Sequence, residues 1–74
     1  MKWKGNKKCK EVYTEDGYHL KAEYIKESKY WWIVYKNGEV LCRAVADSEF
    51  AKSLQIAQVK AQQRMIKHLK RING

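Results

Sequence analysis

The chain has 74 residues, 45% of them hydrophobic and 32% charged, with no proline, and one compact domain is its ceiling because a chain of this size buries only about 60% of its unfolded surface. No window approaches the roughly 18 consecutive apolar residues of a membrane span, and the basic start over residues 1–8 has no apolar stretch behind it, so neither a membrane helix nor a secretory signal is expected. Sixteen Lys and Arg against eight Asp and Glu give a net charge of +8, which favours an anionic partner without naming it.

Residues 1–10 read as a basic N-terminal arm, since Lys2, Lys4, Lys7, Lys8 and Lys10 occur there without an acid. Residues 11–46 read as an antiparallel sheet. Asp16-Gly17 and Asn37-Gly38 are strong hairpin dipeptides, because a two-residue type I′ turn needs positive φ at both central positions. The first is expected to join residues 10–14 to residues 18–25, where Tyr18, Leu20, Ala22 and Tyr24 alternate with His19, Lys21 and Glu23 in the pattern of a half-buried strand. Lys26-Glu27-Ser28-Lys29 supplies a polar turn. The second dipeptide joins Tyr30-Trp31-Trp32-Ile33-Val34-Tyr35 to Val40-Leu41-Cys42-Arg43-Ala44-Val45, both rich in aromatic and β-branched residues. The sum is a meander of three strands, or four if residues 10–14 pair.

A two-residue loop at Asn37-Gly38 sets Lys36 against Glu39, Tyr35 against Val40, Ile33 against Cys42 and Trp31 against Ala44. Trp31, Ile33, Tyr35, Val40, Cys42 and Ala44 then form the expected core face. Tyr30, Trp32, Val34, Lys36, Glu39, Leu41, Arg43 and Val45 form the other, with Trp32 beside Arg43. A one-residue bulge would exchange this partnering.

From residue 47 the period changes to that of a helix, expected to run to residue 72. Asp47 or Ser48 is a suitable N-cap and Glu49 falls in the first turn, where the dipole favours an acid. At 100° per residue Phe50, Leu54, Ala57, Ala61, Met65 and Ile72 share one apolar arc, with Ala51 and Leu69 on its edge. Lys60, Arg64, Lys67 and Arg71 advance by 4, 3 and 4 residues and form a second, basic stripe. Residues 50–74 hold no acid that could pair with it. All eight acids lie in residues 11–49 against five bases, so the middle of the chain sums to −3 and the positive charge belongs to the two ends. Val59 and Ile66, outside the main arc, hint at a second contact.

Few residues offer chemistry. Two His, two Cys and scattered acids do not converge on a catalytic arrangement, and an enzyme is not expected. Cys9, Cys42, His19 and His68 lack the close pairs usual in zinc sites, so no metal or other cofactor is assigned. The two Cys, with 32 residues between them, are expected as free thiols in a reducing cytoplasm. The four Gly are dispersed and make no phosphate loop.

Binding remains. Nine aromatic residues exceed what one helix-backed sheet can hide, so some of Trp3, Tyr13, Tyr30 and Trp32 are expected to be exposed. The leading expectation is a small nucleic-acid-binding protein, with DNA ahead of RNA. In it Lys60, Arg64, Lys67, Arg71 and the Lys2 to Lys10 arm contact phosphates, while Tyr30, Trp32 or Arg43 reach bases or sugars. The alternative is a protein-binding module with Tyr30, Trp32, Val34, Leu41 and Val45 as an apolar patch and basic ends that meet an acidic protein. A monomer or a homodimer fits either.

The run from Tyr30-Trp31-Trp32 through Asn37-Gly38 to Ala51 and Ala57 resembles small domains in which a three-stranded antiparallel sheet is backed by one C-terminal helix. The arm-binding domains of phage integrases are of this type, and the end of a double-stranded-RNA-binding domain is similar in order. The resemblance covers about residues 18–70 and is one of topology and spacing. It implies nucleic-acid binding, which for the integrase type means a sheet in the major groove; here Glu23 and Glu39 lie on the presumed open face. The chain is similar, too, to short basic bacteriophage accessory proteins, among them inhibitors of host or defence enzymes.

Overall fold

The computed structural model describes residues 2–73. Five strands, β1 (Lys4–Gly5), β2 (Cys9–Tyr13), β3 (Tyr18–Lys26), β4 (Lys29–Lys36) and β5 (Glu39–Arg43), form one antiparallel sheet in sequence order. One helix, α1 (Leu54–Asn73), packs across β3 and β4. This is the expected α+β architecture, with five strands where three or four were expected.

The extra strand is made from the basic arm. Gly5 takes φ +140°, and Asn6 turns the chain: its side-chain Oδ1 accepts the N–H groups of Lys8 at 2.8 Å and Cys9 at 3.0 Å. Lys4 and Gly5 then pair with Glu11 and Lys10. At the next corner, Asp16-Gly17 belongs to a three-residue loop, with Thr14 N–H bonded to Tyr18 O at 2.9 Å and only Gly17 at positive φ. A turn followed by one left-handed residue serves here in place of type I′. Asn37 and Gly38, with φ of 52° and 85°, do form the expected two-residue turn, and Lys36 faces Glu39 and Tyr35 faces Val40.

Beyond that pair the register shifts. Leu41 is skipped, so Val34 faces Cys42 and Ile33 faces Arg43. The bulge exchanges the face of β4: Trp32 and Val34 go beneath the helix, while Trp31, Ile33 and Tyr35 turn away from it. The expected core face was therefore inverted on β4 with respect to the helix, although Ile33 is buried on the other face at 3% exposure; on β5 it was right for Cys42 and Ala44 and wrong for Val40, which is 56% exposed. Pairing of Leu20 with Val34 and Ala22 with Trp32 explains the choice, because it lines up the apolar positions of β3 and β4 on one side. Trp32 is 2% exposed in a cluster with Ala22, Ala44, Ala51, Ala57 and Ala61. Small side chains from strands and helix leave room for the indole, and its Nε1–H donates to Glu49 O at 2.7 Å.

The helix starts later than expected. Asp47–Glu49 is one 3-10 turn, after which Ala51 pairs with Tyr30 through two backbone hydrogen bonds of 2.8 and 2.9 Å. That pairing covers the end of β4 and holds residues 50 and 51 extended. Ser53 then caps the helix by accepting Ile56 N–H at 3.2 Å. Ala57, Ala61 and Met65 are buried and Leu54 and Leu69 pack against the core, as the apolar arc predicts. Ile72, expected on that arc, is instead 58% exposed.

Candidate functional site

The crossing direction of the helix decides what its basic stripe meets. His68 in the last turns lies against Tyr18 at the start of β3, so the C-terminal half of α1 runs beside the tip of the β4–β5 hairpin. Arg64, Lys67, His68 and Arg71 line a cleft of about 170 Å³ there, closed on the other side by Leu41 and Cys42 of β5. Helix spacing of three and four residues puts these four groups on one flank. The bulge gives the cleft its wall, because it places Leu41 and Cys42 consecutively against the helix.

No ion pair consumes this charge. Among the described residues the pairs within 4.0 Å are His19–Glu11, Lys21–Glu23 and Lys29–Asp47. Arg64 lies over the Trp32 ring, 5.8 Å from its centroid, and that contact positions its guanidinium at the cleft's edge. Lys60 and Arg64 continue the stripe into a neighbouring depression lined by Trp32, Ser48 and Glu49. Glu49 lies beside the stripe. Its Oε1 accepts the N–H groups of Ala46 at 2.8 Å and Val45 at 3.1 Å; these bonds, with Arg64 and Lys60 nearby, hold its carboxyl below the ordinary glutamate range.

No family model, curated protein or solved structure matches this chain. The residues themselves carry the reading.

The two basic groups expected to act together are separated. Lys4 is in β1 and the helix stripe borders β5, at opposite edges of the sheet, so four inter-strand spacings, about 19 Å, lie between them. Lys2, Lys4, Lys7 and Lys8 are exposed at the first edge, and half-buried Lys10 shares the face of Val12. They form a basic rim on a folded strand rather than a loose arm. Arg43 is exposed on β5 but faces away from the helix, opposite Ile33.

The expected surface patch is broken up, and of its residues Val45 alone stands well exposed, at 68%. Trp32 and Val34 are buried by the register shift, and half-buried Tyr30 packs its ring edge-on to Tyr24 at 5.4 Å. Leu41 survives only as a wall of the basic cleft.

Three residues that the sequence reading did not assign to the site meet on the face away from the helix. Tyr13, His19 and Tyr35 stand opposite one another on β2, β3 and β4. The rings of Tyr13 and His19 stack at 4.0 Å with 6° between planes, and those of His19 and Tyr35 at 5.3 Å with 18°. Only the register of both strand pairs brings them together, and the bulge between Tyr24 and Lys26 hides one of those registers from a sequence reading.

Neither thiol is prepared for nucleophilic work. Burial pushes Cys42 up, with Arg64 opposing, and burial with the Glu23 carboxylate does the same to Cys9. Among the described residues no group of three or more His, Cys, Asp or Glu could hold a metal ion, and no helix is long and apolar enough to cross a membrane.

Proposed function

We propose that the chain is a small nucleic-acid-binding protein that holds the sugar-phosphate backbone in the cleft between β5 and the C-terminal half of α1. The observation that carries this is the convergence of Arg64, Lys67, His68 and Arg71 on one concave surface with no carboxylate among its lining residues. Such a surface offers several hydrogen-bond donors and about three full charges to an anion, and fits a repeating phosphate better than a single small one. Lys60 extends the track along the helix. Arg43, at the same sheet edge but on the other face, is placed to meet a strand that passes over β5. Free thiols at Cys9 and Cys42 fit a cytoplasmic setting. DNA is favoured as ligand over RNA, and the protein acts as a monomer or homodimer.

The test is a titration of labelled duplex and single-stranded oligonucleotides against salt. If about five phosphates are neutralised, log affinity for duplex falls with log salt at a slope near −4.5, roughly 500-fold between 50 and 200 mM. Joint replacement Arg64→Gln and Lys67→Gln flattens that slope by about 1.8. Absence of binding to every oligonucleotide at 50 mM salt overturns the proposal.

A second reading, a module for an acidic protein, has support from the helix face that Val59 and Ile66 marked as a second contact rather than from the expected sheet patch. Ile56, Val59 and Ile66 stand 44 to 50% exposed on the outer side of α1, beside Lys60. An apolar row with basic flanks suits an acidic amphipathic helix.

A further inference from the structure

The stacked rings of Tyr13, His19 and Tyr35 belong to none of the roles so far described. Cross-strand aromatic pairs stabilise sheets, but this row has features that such pairing does not require. The central ring is locked, because His19 Nε2 and Glu11 Oε1 share a hydrogen bond of 2.7 Å. The outer ring is spent on almost nothing else, since Tyr13 is 72% exposed although it is held flat against His19. Above the row is an open cleft of about 400 Å³, within the size range of small-ligand sites. Gly17 and Gly38 form part of its rim and leave it free of side chains where the two hairpin turns meet.

The position of the row matters as much as its shape. Tyr18 lines this second cleft and also bonds His68, which lines the basic cleft on the helix side. The two clefts therefore lie on opposite faces of the same end of the sheet, separated by the tip of the β4–β5 hairpin. A chain with phosphates in the basic cleft that turns around this tip brings its next residues past Tyr35 toward Tyr13, the exposed ring at the end of the stack. Duplex cannot present a base there, because its bases are stacked and paired; a flexible single strand can.

We infer that the open outer face of Tyr13, backed by His19 and Tyr35 stacked behind it, is a base-stacking platform, and that the ligand is single-stranded nucleic acid with at least one unpaired base laid against this ring, which rests on the nucleic-acid reading given above. Stacking tolerates any base, because every base has a π-face. The platform supplies affinity without sequence choice, and the cleft beyond the hairpin tip supplies the charge.

Three labelled strands of equal length test this: an ordinary single strand, the same strand annealed to its complement, and a sugar-phosphate strand with abasic positions throughout. Wild-type protein is expected to bind the ordinary single strand about 10-fold more tightly than either of the others. Tyr13→Ala lowers affinity for the ordinary strand about 10-fold, leaves the abasic strand unaffected and keeps the salt slope. Tyr13→Phe retains the wild-type affinity. Because Tyr13 is exposed, Tyr13→Phe is expected to keep the melting temperature and Tyr13→Ala to lower it by only about a few degrees, through loss of the cross-strand ring pair, with the fold retained. Equal binding of base-bearing and abasic strands by the wild type, a comparison that needs no variant, overturns the stacking site. If that binding still depends on salt and on Arg64 and Lys67, the phosphate reading stands without it; if no strand binds at all, both fall.

Discussion

The Tyr18 hydroxyl and His68 Nδ1 lie 2.6 Å apart, a hydrogen bond across 50 positions of sequence that fastens the end of α1 to the start of β3. The rings also meet edge to face at 5.7 Å. His68 also lines the basic cleft, so one bond both docks the helix and fixes an imidazole at that surface. Tyr18→Phe keeps the ring and removes the hydroxyl, and is expected to cost about 1 kcal/mol in a urea titration. In a cycle with His68→Ala the two losses are expected to be less than additive; simple additivity means the bond contributes nothing.

Much of this end of the molecule was legible because its determinants are local. Asn37-Gly38 names its own turn, and the alternation around Leu20 names the buried side of β3. The basic flank of the helix follows from spacing alone. What was hidden depends on partners distant in sequence. No local pattern marks Leu41 as the skipped residue, yet that skip decides which Trp is buried. The sequence 30–35 is apolar on both sides, so either face satisfies the periodicity. Residues 50 and 51 have helical spacing, but the exposed edge of Tyr30 gives Ala51 two backbone hydrogen bonds that a helix would not provide. The stacked row was missed for the same reason as the bulge, since it exists only once three strands are in register.

The inverted face of β4 is open to a direct check. Trp32→Ala removes a nearly fully buried indole and is expected to cost about 3–5 kcal/mol, comparable with the total stability of roughly 4–11 kcal/mol for a chain of this size. Trp31→Ala, on the half-buried outer face, is expected to cost clearly less. Circular-dichroism melts of the two variants rank them, and the opposite order contradicts the face assignment.

The added strand rests on one backbone position. At Gly5, with φ +140°, an added Cβ would sit 2.1 Å from the carbonyl oxygen of Cys9, too close for any side chain. Gly5→Ala is expected to detach β1 from β2 while the rest of the sheet persists. Amide exchange should then rise at the β1–β2 pairing, with little change at Leu20 or Val34. Unchanged protection at Glu11, whose amide faces β1, in the variant would show that β1 does not depend on this glycine.

Acid sensitivity should trace in part to Glu49. Its carboxylate accepts two backbone N–H groups and lies near Lys60 and Arg64, and all of these favour the charged form, which lowers its pKa on folding. In the unfolded chain the same carboxyl titrates near the ordinary value of about 4.3. Above that value both states are ionised and the full stabilisation is present. As pH falls below it the unfolded chain takes up the proton first, and the stabilisation is lost until the folded carboxyl is protonated as well. Glu49→Gln is therefore expected to lower stability at neutral pH and to flatten the decline on the acid side of about pH 4.3, read as urea midpoints from about pH 7 to about pH 3. The same change removes a negative charge beside Arg64 and Lys60, so oligonucleotide affinity should rise most at low salt, where an exposed charge is least screened. Parallel pH curves for variant and wild type would show that Glu49 is no better held in the fold than in the unfolded chain.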